Sequence, residues 1–222
     1  MKICGVTRLE DAEHAVGAGA WAVGVNHWPE SPRRCDPAMA AEIGAALKRR
    51  CEVAGVFVNA PLDEIAARAS DEQLTLVQLH GDEGPAFCAE VGRRTGCRVI
   101  KATRVRSAAD VQAARAFHTD FHLLDAHRAG TPGGTGESFD WELVAARPPG
   151  GVPVLLAGGL TPANVAEAIA VARPWGIDAA SGVEVEPGVK DPARVEALIE
   201  AVAKAGEELD SGPRDRVSGA SR

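Results

Sequence analysis

The fourth residue of the run "MKICGVTRLEDA" is a cysteine, and residue 125, in "HLLDAH", is an aspartate that ends an otherwise apolar stretch. A thiol and a carboxyl can serve as a proton-transferring pair. Cys4 acts as base or nucleophile only as thiolate, which a free pKa of about 8.5 leaves scarce at neutral pH unless a cation or dipole is near. Lys2, two residues earlier and so on the same side of a strand, could be that cation. Read alone, Cys4 is equally a small buried hydrophobe, and Asp125 could simply cap a loop. An aspartate closing an apolar strand is costly unless paired or solvated in a cavity, which points to a general acid.

Other polar groups stand at similar places. Arg33 and Arg34 in "SPRRC" (31–35) could each clamp a carboxylate bidentately, although an arginine pair is usually solvated surface. Gln78 and His80 in "VQLHGDE" (77–83) share one strand face, although a lone His80 is more often structural. The runs "LLAGGLTPANV" (155–165) and "DAASGVEVEPGVKD" (178–191) carry Gly158, Gly159, Ser181 and Gly182. Glycines there let backbone N–H groups reach an anion, and a following helix N-terminus adds a favourable dipole. The pair suits a phosphate; the plainer alternative is two tight turns.

Apolar runs alternate with amphipathic stretches eight times along the chain. Strands are expected at 2–6, 22–26, 53–58, 74–80, 98–103, 120–126, 153–158 and 176–181. Helix starts are signalled by Thr7, Pro37, Pro61, Ser107, Thr161-Pro162 and Asp191-Pro192. Eight apolar strands separated by helices predict a single α/β domain, a closed (β/α)8 TIM barrel over residues 1–205. No GxGxxG follows the first strand, which argues against an open doubly wound sheet. In a barrel, Cys4, Gln78, His80 and Asp125 would all project into the C-terminal mouth. The longest loop is expected at 127–138, and the polar segment 206–222 reads as a disordered tail.

The net charge of −7 disfavours nucleic acid or an anionic membrane as partner, so any phosphate must be caught locally. No secretory leader is legible, and no apolar run is long enough to span a membrane. Five cysteines (Cys4, Cys35, Cys51, Cys88 and Cys97) without a CxxC pair suggest neither a disulfide framework nor zinc, and fit a reducing cytoplasm. The other cysteines read as structural or surface thiols, and the tryptophans as packing. Monomer and homodimer both remain open.

With these residues placed, the sequence resembles the phosphoribosylanthranilate isomerase family of tryptophan biosynthesis. The resemblance runs to about residue 204 through "KICGVT", "WPESPR", "GVFVN", "VQLHGDE", "LLDA", "GGTGESFDW", "PVLLAGGLTPANV" and "GIDAASGVEVEPGVKD". It implies a (β/α)8 barrel that rearranges N-(5-phosphoribosyl)anthranilate to 1-(2-carboxyphenylamino)-1-deoxyribulose 5-phosphate without metal or organic cofactor. By motif, Cys4 matches the general base, Asp125 the general acid, and Arg33 a residue contacting the anthranilate group. Asp178 matches a carboxylate near the substrate, and Gly158-Gly159 and Ser181-Gly182 the phosphate site. The chain departs from the family at Val25, Asn26 and His27, where an apolar or aromatic run is usual, and at Ala180, where serine is common. Rival readings are a histidine-pathway aminoaldose isomerase, which uses aspartate in place of Cys4, an indoleglycerol-phosphate synthase, and a non-catalytic phosphate-binding barrel.

Overall fold

The computed structural model describes residues 1–125, 141–147 and 150–211. Eight parallel strands pair in chain order: β1 (Lys2–Cys4), β2 (Ala22–Asn26), β3 (Glu52–Phe57), β4 (Leu76–Leu79), β5 (Arg98–Arg104), β6 (Phe121–Asp125), β7 (Val154–Ala157) and β8 (Gly176–Ala179). β8 pairs back onto β1, which closes the barrel. The helices are α1 (Leu9–Gly17), α2 (Pro37–Leu47), α3 (Leu62–Asp71), α4 (Pro85–Thr95), α5 (Ala108–Ala114), α6 (Trp141–Ala145), α7 (Val165–Ala172) and α8 (Pro192–Ser211). The predicted barrel is therefore the observed one. An antiparallel hairpin, β9 (Glu184–Glu186) with β10 (Val189–Lys190), was not foreseen.

Each strand buries both faces because the barrel has two apolar layers. Leu76, Ile100, Leu123 and Leu155 fill the lumen, while Ile3, Val23, Val77, Leu156 and Ile177 pack outward against the helices. Complete burial of each large aliphatic side chain contributes about 1.5–3 kcal/mol. On β5 the inward residues are Ile100 and Ala102, and on β6 Phe121 and Leu123, so the next inward positions toward the mouth are Arg104 and Asp125.

Several helix starts follow the expected chemistry. Asp36 accepts the Ala38 and Met39 N–H groups ahead of Pro37, Ser107 and Asp110 form a reciprocal capping box, and Asp191 accepts the Ala193 N–H. Two do not. Thr7 caps nothing; its hydroxyl donates to the Gly188 carbonyl at 2.6 Å, and α1 starts after Arg8. Thr161-Pro162 lies ahead of α7, whose cap residue Asn164 turns its side-chain oxygen back to the Thr161 N–H at 2.8 Å. Helix α8 continues past residue 205 to Ser211, into the segment read as a tail; residues 212–222 and the 127–138 loop lie outside the described residues. Among the described residues no helix is long and apolar enough to cross a membrane.

Gly44 lets α2 lie directly on the end of α3, since a Cβ there would fall inside contact distance of the Glu72 backbone carbonyl. Gly44→Ala is expected to destabilise the barrel by about 1–3 kcal/mol despite its better helix propensity, as read from urea unfolding. An unchanged midpoint would mean the two helices are not held at that spacing.

Candidate active site

At the C-terminal end of the barrel the strand ends surround an inner cavity of about 500 Å³, which reaches Cys4, Gln78, Asp125, Asp178 and the loops after β7 and β8. A neighbouring outer lobe of about 830 Å³ extends over the ends of β3 to β5. The two share Asn26, Ser31, Arg33, Val56, His80 and Asp125. The structure thus gathers all ten residues expected in the site, Arg33, His80, Gly158, Gly159, Ser181 and Gly182 among them, around one opening.

Beneath Cys4 lies a buried ion pair. Lys2 Nζ donates to Asp178 Oδ1 at 2.7 Å, and neither side chain is more than 8% exposed. Gly24, on the neighbouring strand, leaves room for this group: a Cβ there would lie 2.9 Å from Cys4 Sγ and 3.2 Å from Lys2 Nζ. Burial pushes the Cys4 thiol above its ordinary pKa; Lys2 and Lys190 oppose that, and Asp178 adds to it. Burial likewise works against the Lys2 ammonium, yet Asp178 and Cys4 hold it above the usual lysine value. Ionisation of Lys2 is thus favoured by its partners, while burial opposes ionisation of the adjoining thiol.

A second ionic group closes over Cys4 from the hairpin. Arg33 grips Glu184 bidentately, with Nε and Nη2 donating at 2.9 and 2.8 Å, and Lys190 Nζ donates to the same carboxylate at 2.8 Å. Lys190 also donates to the Cys4 carbonyl at 2.6 Å. The carboxylate that Arg33 clamps is thus one from this chain, and Arg33 turns only part of its donor edge to the cavity. Gly5, at φ +72°, accommodates the Arg33 stem, whose Cδ would lie 2.6 Å from a Cβ there. Arg34 is exposed outside the cavity.

Across the mouth, Gln78 Nε2 and His80 Nδ1 are 3.4 Å apart, and His80 Nε2 lies 3.6 Å from Asp125 Oδ2. With Gln78 Nε2 as donor, Nδ1 is the acceptor and the proton of a neutral ring lies on Nε2, the nitrogen that faces Asp125. Gln78 is fully buried, and its Oε1 has no hydrogen-bond partner among the described residues. Gly158 and Gly159 hold positive φ after β7, and a short 3-10 turn, Ser181–Val183, follows β8. Gly182 packs against the Leu160 backbone so closely that no side chain would fit, which locks the two loops together. Helix α8 begins at Pro192, as the Asp191-Pro192 signal predicts, and so lies beyond the hairpin rather than next to Ser181-Gly182.

Sequence reasoning missed Glu184 and Lys190, although "GVEVEPGVK" places a carboxylate and a lysine on either side of a Pro-Gly turn. Of the departures, His27 stacks on Phe57 and faces the buried Glu72 at 2.9 Å, whereas nothing in the structure explains alanine at 180, whose contact with Lys190 is through its backbone carbonyl. Three tryptophans pack as expected, Trp141 in the core and Trp175, although half exposed, edge-on to Trp21 and against Phe121, whereas Trp28 lines the mouth. Cys35 and Cys88 are buried, Cys51 and Cys97 half-buried, and all are free thiols. Among the described residues no group of three or more His, Cys, Asp or Glu is placed to hold a metal ion.

A closed barrel whose mouth joins a thiol, a carboxyl and paired glycine loops after β7 and β8 defines a barrel enzyme of the phosphate-binding kind. The family model for N-(5'-phosphoribosyl)anthranilate (PRA) isomerase matches residues 1–201. A relative of that name from Citrifermentans bemidjiense is 48% identical over 200 residues, covering 90% of this chain and 94% of its own. The crystal structure of phosphoribosyl anthranilate isomerase from Thermotoga maritima superposes with a TM-score of 0.83 at 39% identity, over 91% of this chain and 98% of its own. Another structure of this enzyme, in complex with reduced 1-(o-carboxyphenylamino)-1-deoxyribulose 5-phosphate, matches with a TM-score of 0.78 at 37% identity, over 91% and 97%. This chain belongs to the phosphoribosylanthranilate isomerase family.

Burial alone would raise the Glu184 carboxyl, but its bonds from Arg33 and Lys190 hold it below the usual glutamate range. A depressed folded value means that its contribution to stability is complete above the unfolded glutamate pKa and is lost as pH falls through the folded one. Glu184→Gln is expected to lose about 3 kcal/mol or more at neutral pH and to show a flatter acid limb in urea unfolding at successive pH values. An acid limb identical to that of the wild type would contradict this assignment.

Proposed function

We propose that this chain is a phosphoribosylanthranilate isomerase that performs an Amadori rearrangement with its own side chains and no cofactor. The reaction is an intramolecular oxidoreduction: C1 of the sugar is reduced as C2 becomes the ketone. The observation that carries this reading is the single cavity in which Cys4, Asp125 and both glycine loops meet.

The phosphate is held by backbone N–H groups of the Gly158-Gly159 and Ser181-Gly182 loops, which the Gly182 contact keeps at fixed separation. Asp125, protonated, donates to the furanose ring oxygen; the C1–O bond breaks and the nitrogen lone pair forms the Schiff base. Cys4 as thiolate then removes the C2 proton, and the electrons move through C1 to nitrogen to give an enolamine. Tautomerisation yields the 2-keto product. Lys2 offsets the charge that Cys4 carries before it takes the proton, and the unpartnered Gln78 Oε1 accepts a sugar hydroxyl. His80, facing Asp125, passes a proton to or from it. Five free cysteines also support a reducing cytoplasm as the site of action.

Turnover of freshly generated substrate, followed by loss of anthranilate fluorescence, tests this reading. Cys4→Ser and Asp125→Asn are each expected to lower kcat about 10²–10⁴-fold while remaining folded by circular dichroism. Because burial raises the thiol and thiolate is the active form, kcat/KM of the wild type should climb from neutral into alkaline pH. Product binding without turnover would favour a non-catalytic barrel instead, and active variants would overturn the acid and base roles.

A further inference from the structure

One buried carboxylate ties three elements together behind the mouth. Glu83, in the loop after β4, accepts the Asn59 N–H at 2.8 Å through Oε1 and the Gly81 N–H at 2.9 Å through Oε2. Lys101, on the outward parity of β5, donates to that same Oε2 at 2.8 Å and to the Gly81 carbonyl at 2.6 Å. Neither side chain is more than 5% exposed. Asn59, turned to φ +51° in the loop after β3, accepts the Asp82 N–H at 2.8 Å in return. Gly81 must lack a side chain, since a Cβ there would lie 2.4 Å from Asn59 Oδ1.

The residue immediately before Gly81 is His80, which faces Asp125. The sheet fixes the backbone ahead of its ring, since the His80 N–H donates to the Phe57 carbonyl at 2.8 Å. Glu83 and Lys101 fix the backbone behind it, one holding the Gly81 N–H and the other the Gly81 carbonyl. A buried ion pair is a poor source of stability, because apolar residues of similar volume often serve as well or better. An apolar pair cannot, however, accept N–H groups from two loops while donating to a carbonyl. The arrangement therefore contributes a fixed loop geometry more than it contributes stability.

We propose that Glu83 and Lys101 form a positioning pair that acts through His80, holding its ring within reach of Asp125 for proton exchange; this rests on the isomerase reading above. Neither residue touches the reacting atoms. With the backbone held on both sides of His80, its ring meets Gln78 through Nδ1 and turns Nε2 toward Asp125. Loss of one Glu83 oxygen as acceptor frees a loop peptide that is either joined to His80 or packed on its neighbour Gly81. Misplacement of a proton-transferring group by about 1 Å costs up to about 100-fold in rate.

The test is a double-mutant cycle in steady-state turnover, with Glu83→Gln and His80→Asn made singly and together. Glutamine offers one acceptor oxygen where glutamate offers two, so one of the two N–H groups loses its partner. Glu83→Gln is expected to lower kcat about 10- to 100-fold alone, and by no more than about twofold in the His80→Asn background. An equal loss in both backgrounds, or a raised KM with unchanged kcat, would mean that the pair merely shapes the outer lobe and would overturn the proposal, as would no effect at all. Because Glu83→Gln leaves Lys101 buried without its counter-charge, the cycle is repeated with Glu83→Gln/Lys101→Met, which removes both charges. That variant should unfold in urea near the wild-type midpoint while its kcat stays low. Full kcat there would mean that the pair only balances charge, and would overturn the proposal too. An active wild type with an additive cycle sinks this proposal alone, whereas an inactive wild type sinks the isomerase reading and this proposal with it.

Discussion

The ion pair between Lys2 and Asp178 crosses the seam at which the barrel closes. Lys2 and Asp178 are direct register partners on β1 and β8, the first and last strands of the sheet. Removing two charges from water costs several kcal/mol each, and such a pair is tolerated only where geometry and further hydrogen bonds compensate. Here the 2.7 Å contact and the adjoining Cys4 supply that compensation. A lumen lined largely by Leu, Ile and Ala therefore carries one buried ion pair, whose ammonium stands beside the thiol. Closure of the fold and the electrostatics of the Cys4 thiol are a single feature.

The hairpin after β8 completes the support. Thr7 and Asp11 from the start of the chain bond to Gly188 and to the Lys190 N–H, and Lys190 reaches the Cys4 carbonyl. Cys4 is thus held from below by Lys2 and from the side by Lys190, and the Glu184 carboxylate keeps both Arg33 and Lys190 in place.

Much of this was legible in the sequence, for physical reasons. Period-two alternation on apolar strands located Cys4, Gln78, His80 and Asp125 at the mouth, and the glycine pairs marked loops that line the cavity. What stayed hidden depends on partners far apart in the chain. That Lys2 would meet Asp178, or Arg33 meet Glu184, follows from barrel closure and hairpin geometry, which no local pattern encodes. Thr7 illustrates the limit: its type and position read as a helix cap, but a carbonyl 181 residues away took its hydroxyl.

The central claim is that burial holds Cys4 as a thiol, with Lys2 as a counter-charge that Asp178 shares. The direct measurement is the pH dependence of Cys4 alkylation by iodoacetamide, resolved from the other cysteines by mass spectrometry, in wild type and Asp178→Asn. The wild-type midpoint should lie above that of a free thiol, and it should fall in the variant, where Lys2 is left with Cys4 as its nearest acidic partner. A midpoint at or below the free-thiol value in wild type, or one indifferent to Asp178→Asn, would contradict the account.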